Sequence, residues 1–186
     1  MKKIGQFFIE SQEISITQTP IAESGGEHLV GDKYYTYVAT LKTEIKSLIY
    51  TYDDGRKVLT TIVNRFGLEY FKVVIFNDGN SKAWNLIELP CELDVRIRRL
   101  GEDMFLVIGY SKKDDAKKMS AQFSFCRLKP STKVEEQTMN VHKIKGVKLT
   151  KEHVIINYEE VVGDKILAQT TTYNHNGTMI STKEDV

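Results

Sequence analysis

Cysteine is nearly missing from this chain. Cys91 and Cys126 are the only two in 186 residues, too few for a disulfide scaffold or a four-cysteine zinc site. Alanine is scarce as well, with 6 residues. It is the strongest helix former, so its shortage weakens the case for a helical fold. Neither sign of charge is in excess, because 26 Lys and Arg face 25 Asp and Glu. That balance leaves no electrostatic footprint for nucleic acid or an anionic membrane surface. No apolar run approaches the roughly 18 residues of a membrane-spanning helix. The histidines at 28, 142, 153 and 175 form none of the short-range pairs typical of metal sites. A nucleophile elbow, a phosphate-binding loop and a dinucleotide fingerprint are all absent. The expectation is therefore no metal, no cofactor, no nucleic acid and no membrane.

What the chain does contain is branched and aromatic. Val, Ile, Thr, Tyr, Phe and Trp supply 66 of the 186 residues. These side chains fit a pleated, half-buried surface and lose rotamer freedom on a helix. The expected class is all-β, as a single domain over residues 1–186. Met1-Lys2-Lys3 is basic, but Phe7-Phe8-Ile9 runs straight into Glu10. No apolar stretch of about 7–15 residues follows to make a secretory signal. A cytoplasmic protein with reduced thiols is expected.

Period-two alternation recurs along the chain. Leu93, Val95 and Ile97 alternate with Asp94, Arg96 and Arg98, and Ala121, Phe123 and Phe125 alternate with Gln122 and Ser124. Each such run puts one face on a core and one in water. Val73 to Phe76 and Met104 to Ile108 are continuously apolar, which suits strands buried on both faces. Asp54-Gly55, Asp78-Gly79 and Asn176-Gly177 supply hairpin turns, with Gly67, Gly101 and Gly163 marking further reversals. About fourteen strands result, near 7–10, 13–19, 34–42, 47–53, 57–64, 70–77, 83–89, 92–99, 104–110, 120–128, 133–141, 153–161, 165–174 and 178–183. Short connections imply antiparallel neighbours in a meander. One helical turn is conceivable over 112–119. A weak repeat starts at Tyr34, Phe71, Phe105 and Val154, with spacings of 37, 34 and 49 residues. Such spacings fall in the range of propeller blades.

Residues 11–112 carry a resemblance. Ser11 to Pro20 is a Thr/Ile-alternating strand that ends on proline. An acidic turn (Asp53-Asp54), two strands (Val58–Val63 and Val73–Phe76), a turn (Asp78-Gly79) and Trp84 to Pro90 come next. An Arg-rich strand (Val95 to Arg99), Gly101-Glu102-Asp103 and Leu106 to Ser111 complete the series. This order resembles concanavalin-like jelly-roll domains of the regulation-of-enolase-1 type. The resemblance implies an antiparallel two-sheet sandwich of jelly-roll type, and a glycan-binding or accessory role with little chemistry. The β-propeller-like array of blades is the alternative architecture.

Aromatic side chains are the functional lead. Tyr35 and Tyr37 cluster after Gly31-Asp32, Tyr50 and Tyr52 alternate on the next strand, and Trp84 is the sole Trp. Flat apolar faces with a polar handle suit stacking on sugars or on a partner. Arg96 and Arg98 stand ready to fix an anionic or polar group. A non-catalytic module binding a glycan or small polar ligand through Tyr35, Tyr37, Tyr50, Tyr52, Trp84, Arg96 and Arg98 is the first expectation. A protein–protein interaction or assembly subunit with propeller-like repeats is the second. A glycoside hydrolase would need two carboxylates across a cleft, and adjacent pairs such as Asp53-Asp54 and Glu159-Glu160 point to opposite faces of a strand. Cys126 is expected in the core, and Cys91, after Pro90, nearer the surface.

Overall fold

The computed structural model describes residues 2–10, 12–20, 43–45, 48–77, 82–111 and 121–185. Among these the protein is all-β. In chain order the strands are β1 (Lys2–Ile9), β2 (Gln12–Pro20), β3 (Thr43–Ile45), β4 (Leu48–Thr51), β5 (Arg56–Arg65), β6 (Leu68–Asn77), β7 (Ala83–Pro90) and β8 (Leu93–Arg99). After them come β9 (Met104–Ser111), β10 (Ala121–Leu128), β11 (Val134–Val141), β12 (Lys143–Leu149), β13 (His153–Val162), β14 (Lys165–Asn174) and β15 (Met179–Glu184). The strand expected over 34–42 and the helical turn expected over 112–119 lie outside the described residues.

The strands form three sheets with the orders β11-β10-β9-β8-β1-β2-β3, β4-β5-β6-β7 and β12-β13-β14-β15. Nearly all neighbours are consecutive antiparallel strands. The exception is β1, which runs parallel to β8 with Phe7 opposite Val95 and Ile9 opposite Ile97. The two facing sheets of a jelly roll are therefore not what these strand orders describe. The meander expectation does hold. β4–β7, β8–β11 and β12–β15 are each four-strand meanders. Their second strands begin at Arg56, Met104 and His153, spacings of 48 and 49 residues. The repeat read from the sequence had a different phase, because it took the third strand of one meander (Phe71) with the second strands of the next two.

The seven-stranded sheet is the middle layer. On β9, Phe105 and Val107 belong to one core while Met104, Leu106 and Ile108 belong to the other. On β10 the same division puts Cys126 and Leu128 in the first core and Ala121, Phe123 and Phe125 in the second. This is why Met104 to Ile108 is continuously apolar: successive side chains face opposite ways and both faces are covered. The first core is closed by Val58, Phe71, Ile75 and Trp84 of β5–β7 together with Phe7 and Ile9 of β1. The second is closed by Ile144, Val154, Ile156, Tyr158 and Tyr173 of β12–β14. Each fully buried side chain of this size contributes about 1.5–3 kcal/mol.

Four register shifts interrupt the described ladders, and two of them shape the cores. In β7 the pairing shifts opposite Val73 and Val74, and Leu86 and Ile87 are both buried there. In β12 the shift falls between Ile144 and Gly146. That bulge lets Ile144 and Val147, three residues apart, serve one face. It also hides β12 from a period-two reading, so this strand is missing from the sequence expectation.

Candidate functional site

The end of the stack where β4 turns into β5 and β8 turns into β9 holds most of the polar chemistry. Tyr50 on β4 and Tyr52 just after it lie two residues apart, and both rings pack on the first core. Their centroids are 4.9 Å apart at 76°, edge to face, and Tyr52 meets Phe105 at 6.2 Å. The Tyr52 hydroxyl donates to Glu10 Oε1 at 3.0 Å. Burial first, then the charge and hydrogen bond of Glu10, raise the Tyr52 pKa far above the ordinary phenol value, and Arg99 opposes them weakly.

Glu10 is the node of this cluster. Its φ of 56° lies in the left-handed region, which is costly for a residue with a Cβ. Four interactions hold it there. Its amide donates to Ile97 O at 2.8 Å. Its carboxylate accepts from Tyr52 and from the Arg99 amide at 2.7 Å, and it pairs with Arg98 Nε at 3.3 Å.

Two arginines then clip the turns together. The Arg99 guanidinium lies 5.0 Å over the Tyr52 ring and 5.9 Å from Phe105. It donates to Asp54 Oδ2 at 2.6 Å and to the carbonyls of Gly101 and Glu102 at 3.0 Å each. Its partner Asp54 is held below the usual carboxylate range by that hydrogen bond and by the Arg56 amide. Arg56 donates to Asp103 Oδ1 at 2.7 Å and to the Glu102 carbonyl, and lies 5.7 Å over Trp84.

Trp84 is 4% exposed, with Nε1 donating to Lys129 O at 2.8 Å. Beside it opens a cleft of about 220 Å³ lined by apolar Trp84, Leu128 and Pro130 and by charged Arg56, Lys82, Asp103 and Lys129. That volume falls short of the roughly 300–1,000 Å³ of drug-sized ligand sites.

The expected aromatic platform is thus distributed differently. Tyr50 and Tyr52 come together with each other but pack on the first core, and Trp84 is inside it. Tyr35 and Tyr37 lie outside the described residues. Arg96 is elsewhere, stacked over Phe8 at 4.8 Å and Tyr110 at 5.2 Å. Arg98 joins the cluster through Glu10 alone. Sequence reasoning missed Glu10, Asp54, Arg56 and Asp103 as partners. The only signal was that Asp54 and Asp103 sit in acidic hairpin turns, which nothing local links to Arg56 or Arg99.

Cys91 is buried, not surface-lying as expected, because β7 delivers it into the first core with its amide on Glu69 O at 3.0 Å. Cys126 is buried as expected. Burial, with the charge of Glu136 second, pushes its thiol up to about 12, far from a nucleophilic thiolate. His142 is buried, and His175 Nε2 bonds Thr150 O at 2.9 Å. Among the described residues no three His, Cys, Asp or Glu converge on a metal-sized space.

Family models, curated proteins and solved structures were each compared with the chain, and none matches.

Proposed function

We propose that this chain is a non-catalytic protein-interaction module, built of stacked, propeller-like blades that do not close into a ring. The observation that carries the reading is that six of the seven exposed large apolar side chains among the described residues sit at or beside hairpin turns, Ile49 on β4 being the exception. Phe66 and Leu68 stand at the β5–β6 hairpin tip, at 105% and 60% exposure. Val162 and Ile166 flank the β13–β14 turn, and Met179 and Ile180 follow the β14–β15 turn, all at 50% or more. Scattered surface apolar residues are ordinary, but pairs raised on hairpin tips form small contact patches. Meanwhile the side chains suited to gripping a ligand are engaged in holding the sheets to one another. The blade spacing near 48 residues also agrees with propeller-type repeats of about 40–50.

The test is recovery of a partner from a native lysate by wild-type protein and by a tip variant, Phe66→Asn with Val162→Ser, of unchanged melting temperature. A protein retained by the wild type and lost by the variant supports the reading. Equal recovery by both, or none by either, overturns it.

A second reading, a small polar ligand seated beside Trp84, is favoured by the cleft with its Arg56 and Lys129 lining. Titration of Trp84 emission with a panel of sugars and small carboxylates checks it. An unmoved spectrum with every compound removes it.

A further inference from the structure

Phe66 stands apart among the described residues, with positive φ and a fully exposed ring. It occupies a two-residue hairpin turn with φ of 53°, followed by Gly67 at 83°. Positive φ at both positions is the geometry that matches the twist of a hairpin, and it favours Asn, Asp or Gly. A bulky aromatic there is an outlier. Its ring is also fully exposed. Among the described residues the two other non-glycine positions with positive φ, Glu10 and Thr132, are tied by hydrogen bonds to neighbouring groups. At the Phe66 turn Asn64 Oδ1 accepts from the Gly67 amide at 3.0 Å, which shapes the turn and leaves the ring in water. Both the backbone strain and the exposed apolar ring are unrewarded within one chain.

The other end of the same sheet offers a matching recess. β5 begins at Arg56, beside the cleft, and ends at Arg65, next to Phe66. Ten residues of strand put the two features about 30 Å apart. The cleft walls of Trp84, Leu128 and Pro130 are apolar and its size suits one aromatic ring. Its lining carries three positive side chains, Arg56, Lys82 and Lys129, against Asp103, with Lys129 also paired to Glu135 at 2.6 Å. The tip end carries the opposite excess. Arg65 is taken up by Glu88 through two bonds of 2.8 and 3.3 Å. Lys72 faces Glu88 as well, while Glu69, opposite Asn64, and Glu92, brought to the same end by the Cys91 amide on the Glu69 carbonyl, leave one negative charge in excess. Cations around an aromatic ring add cation–π attraction.

We propose that Phe66 of one copy inserts into the cleft beside Trp84 of a second copy, so that the chains associate head to tail. This rests on the interaction reading above and names its partner as the chain itself. Knob and hole sit at opposite ends, so the contact is heterologous. It leads to open chains, or to rings if the rotation closes.

Sedimentation velocity of the full chain over a range of concentrations tests this. Wild type is expected to self-associate, and Phe66→Asn, which suits the turn better, to do so roughly thirtyfold more weakly without losing stability. The double variant Lys82→Glu/Lys129→Glu is expected to be equally impaired. An equimolar mixture of the two variants should give dimers and nothing larger, because only one knob and one matching hole remain. In wild type, iodide quenching of Trp84 should fall as concentration rises. A wild type that stays monomeric overturns the proposal, and so does self-association untouched by Phe66→Asn. A monomer that binds neutral phosphatidylcholine vesicles through Phe66 also overturns it, assigning the tip to a membrane. None of these results touches the lysate comparison, so the broader reading stands or falls separately.

Discussion

Glu10 and Phe66 adopt nearly the same unfavourable backbone conformation, with φ of 56° and 53°. One is held there by its neighbours and the other is not. Glu10 ties β1 to the Arg99 amide, to Tyr52 and to Arg98. Hydrogen bonds to a charged group contribute about 1.5–3 kcal/mol each when buried, and less where water competes. Glu10→Ala is expected to cost about 2–3 kcal/mol, read from the urea midpoint. Arg65→Ala, which breaks an exposed pair with Glu88, should shift the midpoint far less, because water screens that pair. Equal losses in the two variants would mean that Glu10 is not a structural node. Titration belongs to this scale too. Burial raises Cys126 from 9.0 and Tyr173 from 10.0, each to about 12. The folded chain therefore holds these protons more tightly than the unfolded chain. The resulting stability is fully present below about pH 9 and is lost as pH rises towards 12. Urea midpoints at stepped pH should be level through neutrality and then fall. Cys126→Ala should delay the onset of that fall towards the tyrosine range, and an unchanged profile would contradict the assignment.

At the scale of elements, the strands that a period-two reading finds are those with one clean register. β8 shows this well, with Leu93, Val95 and Ile97 in the core and charged residues between. β12 was illegible because the bulge at Gly146 changes the face its side chains present. The row of β9 could be recognised as buried on both faces, but β10 read as half-solvated although Ser124 and Cys126 are also buried, since nothing local marks the second covering sheet. Trp84 illustrates a related limit. Its ring completes the inner face of β7, while its Nε1 satisfies a carbonyl in the turn after β10. Trp84→Phe keeps most of the apolar area and leaves Lys129 O without this donor. A loss of about 1–2 kcal/mol is expected, against about 3–5 for Trp84→Ala. Denaturation followed by circular dichroism checks both. A Phe variant as unstable as the Ala variant would show that packing of the indole, not its hydrogen bond, dominates.

At the scale of the whole molecule, the seven-stranded sheet belongs to two cores at once. Leu106 faces the second core while its neighbours Phe105 and Val107 face the first. Loss of either core uncovers one face of the same strands, so the two should unfold together. Leu106→Ala, a fully buried change, is expected to cost about 2–5 kcal/mol. It should lower the midpoint reported by Trp84, which sits in the other core, as much as the midpoint reported by circular dichroism. Separated transitions would show two independent units.

The amino-acid sequence by itself determined the class of structure. An Ala-poor chain rich in branched and aromatic residues, punctuated by Gly turns, makes short antiparallel strands because backbone sterics and period-two patterning act locally. The tertiary structure alone decided how those strands are shared out. Three sheets arise instead of two, β1 docks in parallel on β8, and Tyr50, Tyr52 and Trp84 turn inward because the seven-stranded sheet covers them. Burial and charge pairing are properties of what lies across a gap, between residues such as Glu10 and Arg99 that are 89 positions apart. No local pattern encodes that distance.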